Sequence, residues 1–243
     1  MAAAGVAPRY ETVDGVRIRY VRRGSGPSVV LLHGLASSLF TWKDVVPGLA
    51  LDHDVVALDL PGFGGSDPAP AVSVDRLRAS VVGLMDRLDI PSASLVGNSL
   101  GGTAAALVSA LHPERVERLV LIDAGGFRLA PESRPWLLRA SAGAFGGLLA
   151  RLPRPRPLVA LGLRQVFHDD ALVTRERLDE YEAPLLRPGA VAALRAMLRA
   201  QAPSAAEFEA MLRKVRAPTL VVWGAEDLWI PVADADRFAT AIA

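Results

Sequence analysis

Short runs of β-branched and leucine residues recur along the chain: Val29-Val30-Leu31-Leu32, Val55-Val56-Ala57-Leu58, Ser94-Leu95-Val96, Leu119-Val120-Leu121-Ile122 and, much later, Thr219-Leu220-Val221-Val222-Trp223. Apolar runs this short predict strands buried on both faces, as in a parallel sheet. Ahead of them, Val16, Ile18 and Tyr20 alternate with Arg17 and Arg19 behind Asp14-Gly15, which predicts an antiparallel hairpin at one edge. Between the second and third runs, Val74, Leu77, Val81, Leu84, Met85 and Leu88 share one helical face, with Ser73 placed to cap it. Strand, helix, strand is the crossover unit of an α/β fold. The pattern therefore predicts a mostly parallel sheet with an N-terminal antiparallel hairpin and helices on both faces.

The gap between Ile122 and Thr219 is far longer than a one-helix crossover. Residues 127–213 are rich in Arg, Pro and Leu, with helical patterning at 136–149, 174–181 and 190–201, and Ser204-Ala205-Ala206-Glu207 has the form of a capping box opening one more helix. We expect a helical lid inserted into the sheet. The expected division is residues 1–126 as the first part of the core, 127–213 as the lid and 214–243 as the second part of the core. The proline-rich stretch 151–157 reads as a surface connection within the lid.

Composition narrows the class. The chain has 243 residues, 51% hydrophobic and 22% charged, so it can bury a sizeable core and is not disordered. Its net charge of +1 supplies no field for nucleic acid. With no cysteine, disulfides, thiolate metal sites and cysteine nucleophiles are excluded. The N-terminus lacks the basic start and apolar run of a signal peptide, and no window is long and apolar enough to span a membrane. A cytoplasmic enzyme or binding domain is expected, with a small molecule as partner and neither nucleic acid nor membrane. The pattern leaves the oligomeric state open.

The strongest chemical signal is Gly97-Asn98-Ser99-Leu100-Gly101-Gly102, between a buried strand and a helix opening with small residues. A turn this tight strains the backbone of the central residue and demands glycine around it, and it exposes the serine hydroxyl above the positive end of a helix. With that arrangement the chain resembles the α/β-hydrolases over nearly its whole length. His33-Gly34-Leu35, directly after a strand, is similar to the family's oxyanion loop. The resemblance implies that the N–H groups of Leu35 and Leu100 hold the carbonyl oxygen as it gains charge, each such donor being worth about 3 kcal/mol in the transition state. It makes His33 a buttress of its loop. Asp59-Leu60-Pro61-Gly62-Phe63-Gly64-Gly65-Ser66 resembles another loop of the family, so Asp59 and Ser66 are assigned to loop architecture.

Trp223-Gly224-Ala225-Glu226-Asp227-Leu228-Trp229-Ile230-Pro231 is similar to the family's G-x-x-D-x-x-x-P, which makes Asp227 the expected acid; Glu226 is its neighbouring alternative, and Asp123 occupies a place that some family members use for the acid. The family's order of nucleophile, acid, histidine then requires a histidine beyond Asp227. None follows His168. His33, His53 and His112 have ordinary structural readings, and His168 is the remaining candidate base. The expectation is a chain that stops before its final strand and helix, exposes apolar surface, and is inactive or nearly so as it stands.

The resemblance implies a serine hydrolase of small, largely apolar esters that works through an acyl-enzyme and needs no cofactor and no metal. Phe40, Trp42, Asn98, Phe127 and Trp136 are candidate substrate-binding residues, with Phe145, Phe167 and Tyr181 as further lid positions. Asn98 resembles relatives that cleave carbon–carbon bonds of ring-fission products, which is the main alternative. A cofactor-free haloperoxidase, an acyltransferase or a non-catalytic binding protein are others; a dehalogenase is disfavoured because Ser99 stands where such relatives carry Asp.

Overall fold

A computed structural model describes residues 6–68, 73–127, 155–200 and 203–242. The expected hairpin forms from β1 (Arg9–Val13) and β2 (Val16–Arg23), paired antiparallel from Val13↔Val16 outward. Its turn has Asp14 at φ 48° and Gly15 at φ 76°, the two positive angles whose twist matches that of the flanking strands. β3 (Ser28–Leu32), a short helix α1 (Val46–Leu49) and β4 (Asp54–Leu58) follow, then α2 (Val74–Arg87), β5 (Ala93–Asn98), α3 (Leu100–Leu111) and β6 (Val116–Ile122). Four helices lie between β6 and β7 (Thr219–Val222) among the described residues: α4 (Arg156–Val166), α5 (Arg175–Leu185), α6 (Ala190–Arg199) and α7 (Ala205–Leu212). Helix α8 (Ala233–Ile242) comes last.

The seven strands form one sheet in the order β1-β2-β4-β3-β5-β6-β7. β2 meets β4 antiparallel, and every pair from β4 to β7 is parallel. Two apolar layers sandwich it. Val30, Leu32, Val56 and Leu58 face α2 and α3, while Val29, Leu31, Val55 and Ala57 face Leu39, Trp42 and Val46.

The expectation of strands buried on both faces holds for β3 and β4 and needs correction for β5 to β7. There the burial alternates, and on β7 Leu220 is 57% and Val222 43% exposed. The cause is the distribution of helices, because α1 packs against β4 whereas α3, α7 and α8 all lie on the opposite face.

Capping follows the side chains. Ser73 Oγ accepts from Arg76 N–H at the start of α2, and Ser204 and Glu207 bond each other's backbone amides to open α7. The positions 136–149, the proline-rich residues 151–154, Trp136 and Phe145 lie outside the described residues.

Candidate active site

The glycines around Ser99 are required by contacts that no side chain fits. A Cβ on Gly97 would lie 2.4 Å from Gly101 O, and one on Gly101 would lie 2.3 Å from Leu32 O. Strand β5 can pass straight into α3 only through this close approach, and Ser99 takes φ 54°, ψ −116° at the junction. Its N–H donates to Ile122 O at 2.9 Å, and its carbonyl accepts from Thr103 N–H and Gly125 N–H at 3.1 and 3.0 Å. Those bonds hold a conformation an isolated residue would leave. The side chain caps no helical amide and opens into a cavity of about 370 Å³.

Above the elbow runs the loop after β3. Gly34 sits so near that a Cβ there would lie 3.0 Å from Asn98 Oδ1 and 3.2 Å from Ser99 Cβ. Leu35 follows it, and Leu100 is the first residue of α3, where an N–H has no helical partner. His33 locks this loop to its neighbour. Leu60 N–H donates to its Nε2 at 3.0 Å while Nδ1 donates to Gly34 O at 2.7 Å, the pattern of a neutral ring. Complete burial pushes its pKa down, against the pull of Asp59. Asp59 is itself sealed in, accepting from Leu39 N–H, Gly65 N–H and Arg19 Nη1, and Ser66 Oγ donates to its carbonyl.

Across the cavity stands Asp227, whose Oδ1 accepts from Trp229 N–H at 2.7 Å and Ile230 N–H at 3.0 Å. Trp223 Nε1 donates to Ile230 O and closes the same turn. Asp123, at the tip of β6, lines this cavity too and accepts from Gly224 N–H at 2.7 Å. Burial raises its pKa; the Gly224 N–H opposes that and the negative charge of Asp227 adds to it.

Of the four histidines only His168, after the end of α4, lines the cavity. His33 is internal, His53 bonds Asp52, and His112 accepts from Arg78 at the far end of α3.

The candidate substrate-binding residues separate. Asn98 lines the cavity while its Nδ2 donates to Ile122 O. Trp42 does not, being 4% exposed among Val29, Leu31 and Leu39 on one sheet face. Phe40 is also buried and outside this cavity's wall. Phe127 turns inward after Gly126, at φ 140°, and packs edge-on against Phe208 and Phe238 with the Arg237 guanidinium 3.6 Å above its ring. Its place is the core. Phe167, one of the lid positions named from the sequence, is in the wall, and with it are Arg164, Gln165, Val166, Leu228, Trp229 and Ile230, which the sequence alone did not single out. The variable positions inside G-x-x-D-x-x-x-P were the available signal for the last three.

A profile of the α/β hydrolase fold matches residues 27–242. The chain belongs to the α/β-hydrolase fold family. Relatives of this hydrolase-fold chain include the dihydrolipoyllysine-residue acetyltransferase component of the acetoin cleaving system of Pseudomonas putida, 34% identical over 97% of the chain and 62% of that protein. The chain thus spans less than two-thirds of that relative's length. A 2-hydroxymuconate semialdehyde hydrolase of Pseudomonas sp. (strain CF600) is 33% identical over 90% of the chain and 76% of its own length. Among solved structures, a meta-cleavage product hydrolase from Pseudomonas fluorescens IP01 superposes with a TM-score of 0.82 at 26% identity, covering 98% of this chain and 86% of that one. Among the described residues no helix is long and apolar enough to cross a membrane.

Proposed function

We propose that the protein is a serine hydrolase that cleaves a small carboxylic ester or a related carbonyl compound through an acyl-enzyme. In this reading Ser99 Oγ adds to the carbonyl carbon, and its proton passes to the histidine that the family's triad requires beside Asp227, a place none of the four histidines of these 243 residues takes. The N–H groups of Leu35 and Leu100 hold the oxygen as it becomes an anion. Collapse expels the alcohol, which takes the proton from the histidine, and water then repeats the steps to release the acid and restore Ser99.

The observation that carries the reading is the strained backbone of Ser99 at the mouth of α3, held by three main-chain partners and opening into the cavity that Asp227 shares. Strain of that kind persists where the surroundings over-determine it, and it clusters at reacting groups.

Among the described residues no histidine is bonded to Asp227. Hydrolysis of an activated aryl ester by these 243 residues is therefore expected to be negligible, and ready turnover would overturn that. The role of Ser99 is tested separately. An oxyanion site without its base still accelerates reaction by roughly 10³-fold over water, so an aryl organophosphonate should label the protein slowly, and Ser99→Ala should abolish the label. Labelling that survives the substitution, or none at all, sinks the reading.

A second reading is cleavage of a carbon–carbon bond in a ring-fission product. Asn98 immediately before Ser99 favours it, in the cavity wall and beside Gly34, as do the relatives whose names carry that chemistry. Competition of an aryl ester and a ring-fission product for the organophosphonate-reactive site separates the two.

A further inference from the structure

Two acidic residues approach Gly224. Asp123 closes β6 and Asp227 lies in the turn after β7, and both line the cavity into which Ser99 opens. The Asp123 N–H donates to Val222 O at 3.0 Å and its Oδ1 accepts from Gly224 N–H at 2.7 Å, so a single residue grips the tip of β7 on both sides of Trp223. An ideal Cβ on Gly224 would lie 3.7 Å from Asp123 Oδ1 and 3.9 Å from Asp227 Cβ, so both acids reach the same glycine.

Asp123 also stands at φ 44°, a left-handed angle that costs a residue with a side chain of the order of 1 kcal/mol. The residue before it, Ile122, gives its carbonyl to Ser99 N–H at 2.9 Å and to Asn98 Nδ2 at 3.2 Å. The strained residue therefore sits between the turn that carries the nucleophile and the turn that carries the acid. Bonds within the acid turn, from Trp229 and Ile230 to Asp227 and from Trp223 to Ile230, set its shape. The Asp123 link sets its place relative to Ser99.

We propose that Asp123 is a positioning residue for Asp227, tying the acid turn to the strand beside the nucleophile through the Gly224 amide and setting a second carboxylate next to the first. The proposal rests on the reading of Ser99 and Asp227 as nucleophile and acid. Its electrostatic part follows from the same geometry. Burial opposes the ionisation of Asp123, and the charge of Asp227 adds to this. Among the described residues the other charged side chains lining the cavity are Glu226, which adds to the repulsion, and Arg164, which relieves it, and His168 lines it as well.

The test uses the isotope-labelled 243-residue protein with Asp123→Asn, Asp123→Ala and Asp227→Asn. In Asp123→Ala the Gly224 amide should exchange with solvent about tenfold faster, and Asp123→Asn, which keeps an acceptor oxygen, should recover much of that protection. In Asp227→Asn the titration midpoint of the Asp123 carboxyl carbon should fall, because a neighbouring negative charge is gone. A midpoint at Asp123 that Asp227→Asn leaves in place overturns the electrostatic half. Gly224 exchange matching the parent in both Asp123 variants overturns the proposal entirely. If the alanine variant does not fold, the Asp123 midpoint in Asp227→Asn decides. Ser99-dependent organophosphonate labelling is read in parallel: its absence in the parent protein sinks the hydrolase reading and leaves the measured tie standing, whereas intact labelling with unchanged Gly224 exchange sinks only the positioning role.

Discussion

Single residues carry the sharpest constraints in this molecule, and the clearest is Gly97. Its missing side chain lets Gly101 O and Gly102 Cα approach to 2.4 and 2.6 Å of where a Cβ would be. Gly97→Ala must push the strand and the helix apart, so a loss of about 1–3 kcal/mol in denaturant unfolding is expected, together with loss of organophosphonate labelling. A variant as stable as the parent would show that the junction yields. His33 imposes a different constraint. Its folded pKa lies below the unfolded value because the ring is buried neutral, so the unfolded chain binds more protons as the pH falls. His33 therefore costs no stability well above pH ~6.5 and takes stability away progressively below it. Unfolding free energies measured from pH 8 to 5 should fall, and replacing His33 with Gln should flatten that slope. Ser99, the glycines around it and Asp227 were all legible as residue types at a spacing. Trp42 and Phe127 were not placed correctly, because an aromatic side chain near a motif in sequence is directed by the backbone, and here the backbone turns both into apolar layers.

At the level of elements, periodicity was the reliable guide. The stripe from Val74 to Leu88 became α2 with Ser73 as its cap, the capping box opened α7, and Asp14-Gly15 closed the first hairpin. Such features are local, since each is decided within four or five residues. Packing partners are not. Helix α7 was grouped by sequence with the segment between β6 and β7, yet Phe208 and Leu212 are sealed in the main core, with Phe208 edge-on to Phe127 and Phe238 at 5.2 and 5.8 Å. Phe208→Ala removes a ring from the centre of that cluster and should cost about 3–5 kcal/mol in thermal or chemical unfolding. A loss under about 1 kcal/mol would mean that α7 contributes little to the core. The wall of the cavity opposite Ser99 comes from the end of α4 and the turn after β7. No period or cap announces that encounter.

For the molecule as a whole, the sheet is covered unevenly. Helices α2, α3, α7 and α8 crowd one face, and on the other Leu220 and Val222 of β7 remain open to water. Exposed apolar residues on an edge strand favour association between copies. Changing both residues to Thr is expected to alter unfolding by no more than about 0.5 kcal/mol and to reduce any concentration dependence of the sedimentation coefficient. An unfolding cost of several kcal/mol would show that the face is covered in solution. The amino-acid sequence by itself determined the strands, the first helices, the turn that carries Ser99 and family membership, because alternation, capping and steric demands for glycine act over a few residues and leave their mark in order. Only the tertiary structure decided which side chains share the cavity, that Asp123 reaches across to Gly224, and that Leu220 and Val222 on β7 stay exposed. Those outcomes depend on contacts between residues more than a hundred positions apart, and such separations have no period along the chain.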